Sequence, residues 1–303
     1  MSEFNLYGSY FFTEPKRISN KFAFYNRYDK FQLKSGASPE FVVFRSLLGG
    51  IFFESTESER VLFDTNFFVY PTRKTKLDVG SFWHDVELVL DPYELSIKSF
   101  MDAFYAQNQS NRKFFESFLV EISLAISAHQ KCEGLKSFLH IYRSLEHISY
   151  AIPLIYLRSQ ENYYKTYDSF KKFFGNASSE LGFGRNFIKD IMIDTIYANP
   201  CCLDFSNQPP QHFNALKFAF KDPKEYKDFE FDDSLSTLTF PFGRTFDFIK
   251  QLRNLYFHFL YSKDYALHSK DLVAPGVFFN SINEVCISFI SNFYLILYNN
   301  KYE

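Results

Sequence analysis

Runs of aromatic and β-branched residues dominate residues 1–92, and turn signals such as Gly49-Gly50 and Asp91-Pro92 separate them. Such side chains favour the pleated surface of a sheet, whereas Gly, Pro and Asp interrupt it. The pattern predicts strands at 4–12, 21–33, 40–44, 50–53, 61–70 and 85–90. We therefore predict a small β-rich N-terminal domain.

From Pro92 onward, apolar residues recur at the three- and four-residue spacing of one helix face. This spacing predicts helices at 93–106, 111–129, 134–158, 162–174, 179–197, 243–262 and 277–299. Pro153 is expected to kink or end the regular part of the third. That helix carries a core-facing stripe of Leu135, Phe138, Leu139, Tyr142, Leu145 and Ile148.

Residues 201–242 interrupt the helical pattern with four prolines and an alternating run at 235–240. This composition is typical of a loop with a short hairpin. The fold class predicted for the chain is α+β. A β-rich N-terminal domain (1–92) precedes a larger, mainly α-helical bundle (93–303).

The aromatic content is extreme, with 41 Phe and 21 Tyr in 303 residues. Coding bias toward A/T-rich codons explains it most simply, and a set of base-stacking platforms is the functional alternative. The net charge of −2 gives no global basic footprint for nucleic acid, so any affinity for RNA must come from local patches.

The four cysteines form no C-x-x-C pair, and no two histidines have zinc-ligand spacing, so we expect neither a metal site nor another cofactor. The N-terminus lacks the basic start and apolar stretch of a signal peptide. The longest apolar region, 285–298, is interrupted by polar residues and is expected to be a buried helix, not a membrane span. We therefore expect a cytoplasmic, reduced protein.

The most informative chemistry lies at 251–258, where Arg253 is followed directly by Asn254 and, five positions after the arginine, by His258. Arginine supplies a permanently charged planar fork that suits phosphate oxygens, and histidine can transfer a proton near neutral pH. On a helix, Asn254 and His258 lie one turn apart, and Arg253 lies beside them. The catalytic candidates are therefore Arg253, Asn254 and His258.

This arrangement resembles the R-N-x-x-x-H motif of HEPN ribonucleases, α-helical proteins common in bacterial toxin and antiphage systems. The resemblance covers only the helical part of the chain. It implies metal-independent RNA cleavage, in which the ribose 2′-OH attacks the adjacent phosphate and leaves 2′,3′-cyclic phosphate and 5′-OH ends. It also implies a homodimer in which two motif helices face each other, and an antitoxin or defence partner protein as a further partner.

Additional polar residues accompany the motif. Arg143, Glu146 and His147 on the helix at 134–158 are either supporting groups of the site or an internal Arg143–Glu146 ion pair, which the three-residue spacing allows. Arg244 and Lys250 are candidates for RNA binding on the motif helix.

Two other functions remain open. The chain could be a non-catalytic helical interaction or dimerisation module in a defence complex, which suits its acidic pI and many Phe residues. It could also bind or modify nucleotides, because Arg and His suit a ribose phosphate as well. No phosphate-binding glycine loop, H-E-x-x-H or G-x-S-x-G motif is present in the sequence.

Overall fold

A computed structural model provides the structure of the chain. The residues that it describes are 6–7, 9–13, 33, 36–55, 58–69, 86–87, 89–91, 94–96, 98–100, 102, 111–159, 162–175, 180–192, 194–257, 267 and 272–299. Among these residues, no helix combines the length and the apolar character needed to cross a membrane.

The N-terminal part holds a four-stranded antiparallel sheet and a helix. The elements are β1 (Leu6–Tyr7), β2 (Tyr10–Thr13), α1 (Pro39–Leu48), β3 (Ile51–Ser55) and β4 (Ser58–Phe63), followed by a 3₁₀ turn at Phe67–Val69. The strand order in the sheet is β1-β2-β3-β4. Phe12 pairs with Phe53, whose ring stacks on that of Phe63 at 5.5 Å, so one face of the sheet is an aromatic layer.

Two of the predicted N-terminal strands are wrong. Residues 40–44 lie within α1, and the described residues of 85–90 (86, 87, 89 and 90) are helical. The strand at 50–53 is confirmed by β3, and that at 61–70 only over its first residues. Strand 4–12 is broken in two by a turn, and strand 21–33 lies outside the described residues except for Leu33.

Helices follow from residue 112. They are α2 (Arg112–Gln130), α3 (Gly134–Ser159), α4 (Tyr163–Phe174), α5 (Glu180–Ile191) and the short α6 (Asp194–Tyr197). The first three agree closely with the predicted helices at 111–129, 134–158 and 162–174. The predicted helix at 179–197 is divided into α5 and α6. Helix α3 continues through Pro153 to Ser159, so this proline does not end it.

A second antiparallel sheet and the last two helices complete the chain. The elements are β5 (Pro200–Asp204), α7 (Pro210–Ala219), β6 (Glu230–Asp232), β7 (Thr237–Pro241), a 3₁₀ turn at Phe242–Arg244, α8 (Thr245–Phe257) and α9 (Pro275–Asn299). The strand order is β5-β7-β6. The prediction of a loop over 201–242 is correct for the hairpin of β6 and β7 but wrong for β5 and α7. The predicted helix at 277–299 is confirmed by α9, and of the one at 243–262 only the part to Phe257 is described.

Helix α9 is the centre of the molecule. Its residues from Val285 to Leu297 are all buried, because it packs against both α2 and α3 and against the 3₁₀ turn after β4. The apolar character of this segment therefore reflects burial on every side, as predicted.

The N-terminal elements share this core. A single cluster of buried apolar residues extends from Phe12 to Leu297, and the buried Tyr294 hydroxyl of α9 donates to the Glu40 carbonyl oxygen of α1 at 2.7 Å. The described residues thus form a mixed α+β fold in which helices predominate and two small antiparallel sheets are added, which confirms the predicted class.

Candidate functional site

Helix α8 carries the first two residues of the predicted motif. Before the helix, the 3₁₀ turn at Phe242–Arg244 ends in a hydrogen bond from the Thr245 hydroxyl to the Phe242 carbonyl oxygen at 2.6 Å. Phe248 and Leu252 are fully buried and Leu255 nearly so, and together they form an apolar stripe along α8. This buried stripe fixes the rotation of α8 and leaves Arg253 and Asn254 half-buried beside it.

The Arg253 guanidinium lies on an aromatic ring of α3. Its central carbon is 4.5 Å from the ring centroid of Tyr142, within the range of a cation–π contact. Its Nη1 donates to Asn254 Oδ1 at 3.2 Å. Together these two contacts hold the guanidinium plane against α3.

Arg253 differs from several other arginines in its counter-ions. Arg112, Arg143, Arg185 and Arg244 each form an ion pair with a carboxylate. Within the described part of the chain, Arg253 has no carboxylate within ion-pair distance. A half-buried cation without such a counter-ion attracts an anion, because its charge is only partly solvated and not neutralised.

His258, the third motif residue, directly follows Phe257, the last residue of α8, and lies outside the described residues. Near the C-terminal end of α8, the Leu267 backbone N–H donates to the Leu255 carbonyl oxygen at 2.9 Å.

Arg244, a predicted RNA-binding residue, is held in an ion-pair network at the start of α8. Its Nη1 lies 2.7 Å from both carboxylate oxygens of Asp228, its Nε donates to Asp247 at 2.9 Å, and its Nη2 donates to the Glu225 carbonyl oxygen. Asp247 also accepts from Arg185 of α5 at 3.1 Å. These groups join α5, α8 and the loop before β6. The carboxylates of Asp228 and Asp247 therefore compete with a phosphate for the Arg244 guanidinium.

Lys250, the other predicted RNA-binding residue, lies half-buried one turn before Asn254, and no carboxylate pairs with it among the described residues. It lies on the same helix as Arg253 and is one of two positive charges on this part of α8.

Among the described residues, none of the three supporting candidates on α3 forms an ion pair or a hydrogen bond with Arg253. The ion pair of Arg143 is formed with Glu121 of α2 at 3.4 Å, so the predicted Arg143–Glu146 pair is wrong. Because Arg143 and Tyr142 are neighbours on a helix, their side chains point about 100° apart. Glu146 follows Tyr142 by one turn and is half-buried, but it makes no ion pair with Arg253.

Glu121 organises a second polar cluster that sequence reasoning missed. His140 Nδ1 donates to Glu121 Oε2 at 2.8 Å, and both side chains are nearly buried. Burial alone would raise the pKa of the Glu121 carboxyl, but the His140 hydrogen bond and the charges of Arg143, His140 and His147 bring it below its ordinary value. His147 therefore belongs with this cluster on the α2 side of α3. The seven-residue spacing of His140 and His147 was the available signal.

The stripe predicted on α3 is correct except at one position. Phe138, Tyr142, Leu145 and Ile148 are buried, whereas Leu139 is exposed. The sequence predicts only a core position for Tyr142, because its contact with Arg253 depends on how α8 packs on α3.

Metal-ligating residues are not clustered in the described part of the chain, where no group of three or more His, Cys, Asp or Glu side chains is placed to hold a metal ion. Its four cysteines are free thiols, of which Cys201 and Cys286 are buried. Burial raises the pKa of the Cys286 thiol well above its ordinary value, which disfavours the reactive thiolate form.

Comparisons with known proteins returned no match: no family model, no curated protein and no solved structure is detectably similar to this chain.

Proposed function

We propose that the chain is a metal-independent endoribonuclease of the HEPN type, acting in the cytoplasm in phage defence or as a toxin. The observation that carries the proposal is the Arg253 guanidinium, fixed by Tyr142 and Asn254, without a carboxylate partner among the described residues, five positions before a histidine. An anionic ligand at this position would complete the charge balance of the site.

The chemistry follows from these side chains. The ribose 2′-OH attacks the adjacent phosphorus, the bond to the 5′-oxygen of the next nucleotide breaks, and a 2′,3′-cyclic phosphate and a 5′-OH remain. His258 removes the proton from the 2′-OH or supplies one to the leaving oxygen. Arg253 neutralises the charge on the phosphoryl oxygens, and the Asn254 side chain fixes its orientation.

The reaction needs groups on both sides of the phosphate, and two residues with the five-residue spacing of Arg253 and His258 would project about 140° apart on one helix. We therefore propose a two-fold homodimer that places two α8 helices near its axis. Exposed apolar side chains support this arrangement: Phe257 is exposed at the C-terminal end of α8, and so are Val273, just before α9, and Val277, in the first turn of α9. Phe279 of α9 contacts the Phe257 ring at 6.3 Å, so the start of α9 lies near the end of α8.

The direct test is incubation of the wild-type chain with total RNA in EDTA, beside Arg253→Ala and His258→Ala variants. Cleavage by the wild type alone, leaving 2′,3′-cyclic phosphate ends, is the expected result. RNA cleavage that requires a divalent metal would contradict the proposed mechanism.

The same variants test the interaction module, the alternative function. In that case His258→Ala would leave toxicity in cells unchanged, while charged substitutions at the exposed apolar positions would abolish assembly. Loss of toxicity in His258→Ala with an intact dimer contradicts the module and supports the enzyme.

A further inference from the structure

Helix α4 presents a row of aromatic side chains to solvent. Tyr163 is 75% exposed, Tyr164 77%, Tyr167 55% and Phe170 50%. Tyr163, Tyr167 and Phe170 are spaced by four and three residues, so they form a continuous stripe, and Tyr164 lies at its edge. Contiguous exposed apolar surface of this kind marks an interaction site.

Helix α4 is held in the fold by Phe173 and Phe174, and Phe170 at the end of the stripe stacks on Phe174 at 5.0 Å. Phe173 is the buried residue of the helix, and its ring contacts Phe187 of α5 at 5.2 Å and Tyr156 of α3 at 6.2 Å. Among the described residues, Tyr163, Tyr164 and Tyr167 contact no aromatic ring of another element, so their rings are available to a partner without any change of the fold.

The charge of α4 selects the partner. The helix carries Lys165, Lys171 and Lys172 against a single acidic residue, Asp168, which gives it a net charge of +2 (three minus one) in a chain of net charge −2. Lys172 is paired with Asp190 of α5 at 3.2 Å. Lys165 and Lys171 are exposed, and in the described part of the chain no carboxylate pairs with them.

A second copy of the chain fits this surface poorly, because a two-fold contact between two α4 helices would bring lysines of like charge together. Single-stranded RNA fits both features, since its unpaired bases stack on aromatic rings and its phosphates pair with lysine. We propose that α4 binds a single-stranded stretch of RNA through Tyr163, Tyr164, Tyr167 and Phe170, with Lys165 and Lys171 on its phosphates.

This proposal rests on the ribonuclease function and assigns it a substrate class. Tyr156 contacts Phe173 near the C-terminal end of α4, and it follows Tyr142 by 14 residues on α3, or about 21 Å at 1.5 Å per residue. A single strand of a few nucleotides covers that distance and lies within the range of 4–16 nucleotides that is typical of such sites. Helix α4 would thus hold RNA whose cleaved bond lies at Arg253.

The test measures binding of a fluorescein-labelled, 2′-O-methyl RNA of about 12 nucleotides by anisotropy in EDTA. This probe has no free 2′-OH at its internal linkages, so binding is separated from cleavage. The double variant Tyr164→Leu/Tyr167→Leu removes two stacking rings and keeps the surface apolar, and Tyr164→Phe/Tyr167→Phe is the matched control that keeps both rings. We expect the leucine pair to weaken binding by at least about tenfold and the phenylalanine pair to bind as the wild type does.

The lysines are tested through the salt dependence. Lys165→Gln/Lys171→Gln should lower the slope of log Kd against log salt by about 1.4, at about 0.7 for each phosphate contact on a single strand. A duplex probe of the same sequence should bind more weakly than the single strand, because its bases are already stacked.

Three results would each overturn the proposal. They are equal binding by the leucine pair and the wild type, equal binding of duplex and single strand, and no binding by the wild type. So would a change of the chain from dimer to monomer in the leucine pair with RNA binding unchanged, which would assign the stripe to a second copy. Tyrosine-dependent binding of the probe without cleavage of ordinary RNA would leave this surface standing and refute the ribonuclease.

Discussion

At the scale of single residues, the central feature is an arginine whose planar group is held by a ring and an amide. A lysine side chain would keep the charge of Arg253 but lack the planar fork that donates to Asn254 and lies over the Tyr142 ring. We predict that Arg253→Lys lowers the rate of RNA cleavage at least about 100-fold, as removal of one transition-state donor does.

The control for this variant is Arg112→Lys, which changes an exposed arginine paired with Glu116 on α2, away from α8. It should cleave RNA at the wild-type rate. Both variants should retain the wild-type urea midpoint, since Arg253 is only half-buried. Full activity of Arg253→Lys would show that charge alone suffices and that the fixed geometry is irrelevant.

The Glu121 cluster gives a prediction for stability against pH. The pKa of Glu121 is lowered in the folded protein, so its contribution to the free energy of unfolding is present above the ordinary glutamate value of 4.5 and is lost as the pH falls through the lower folded value. At pH 7, Glu121→Gln should lower the free energy of unfolding by about 1.5–3 kcal/mol, the range of hydrogen bonds to charged groups.

Urea unfolding of Glu121→Gln and the wild type at pH 7 and at successively lower pH below 4.5 measures this difference. The difference should shrink as the pH falls. A difference that stays constant over this range would mean that the carboxylate charge contributes nothing, and that only the shape of the side chain matters.

The partner of Arg143 marks the limit of sequence reasoning at this scale. Spacing allows an ion pair between Arg143 and Glu146, three residues away on the same helix, but Arg143 pairs with Glu121 on α2. Local spacing allows an ion pair, whereas the packing of α2 on α3 decides between competing carboxylates. The contact of Arg253 with Tyr142 was unpredictable for the same reason.

At the scale of elements, long amphipathic helices were predictable and short elements were not. Helices α2, α3 and α4 have bounds within a residue or two of the prediction, because their apolar spacing continues over several turns. The residues Phe41, Val42, Val43 and Phe44 favour a strand by propensity, yet they begin a helix. Ser38 caps it, accepting from the Phe41 N–H at 3.3 Å, and Pro39 occupies its first turn.

A proline also begins α7, where Pro210 is the first helical residue, although the proline content of 201–242 predicts a loop there. Strand β5 pairs with β7, more than thirty residues later in the chain, and such long-range pairing leaves no local trace.

The close approach of α3 to α9 gives a prediction at this scale. A Cβ added at Gly134 would overlap the Gly276 carbonyl oxygen and the Asn280 backbone nitrogen of α9. The Gly134 carbonyl oxygen also accepts from the buried Asn283 side chain at 2.8 Å. Gly134→Ala should therefore lower the free energy of unfolding by about 1–3 kcal/mol, the cost of overpacking.

Gly276→Ala is the matched control for thermal and urea unfolding, because a Cβ at Gly276 meets nothing within 4 Å and the residue lies in the first turn of α9. It should be neutral or slightly stabilising, since alanine favours the helix. Equal stability of the two alanine variants would mean that α3 and α9 do not approach closely at Gly134.

At the scale of the whole molecule, the N-terminal segment shares one core with the helical body. The sequence divided the chain at residue 92 by composition, but composition could not show that α1 packs on α2 or that Tyr294 binds the α1 backbone. The fold class was predictable because long helical patterns determine it. The packing of the sheet on the helices depends on contacts between residues far apart in the sequence.

Assembly is the prediction that belongs to this scale. Val273, just before α9, and Val277, in its first turn, are exposed. Val273→Glu/Val277→Glu should convert a homodimer into a monomer in sedimentation analysis. The substitution at Val277 adds negative charge in the first turn of a helix, which does not weaken the helix itself. RNA cleavage should be lost with the dimer.

Leu235→Glu is the control, because Leu235 is similarly exposed but lies in the turn between β6 and β7. Leu235→Glu should leave the mass of the homodimer in sedimentation and the rate of RNA cleavage unchanged. A wild-type chain that is monomeric at all concentrations and still cleaves RNA would refute the composite site.

The most direct measurement of the central claim is the chemistry of the RNA ends produced in EDTA by the wild type and by His258→Ala. The account predicts cleavage by the wild type only, with 2′,3′-cyclic phosphate and 5′-OH ends. Cleavage of equal extent by both forms, or ends that carry a 5′-phosphate, would contradict it.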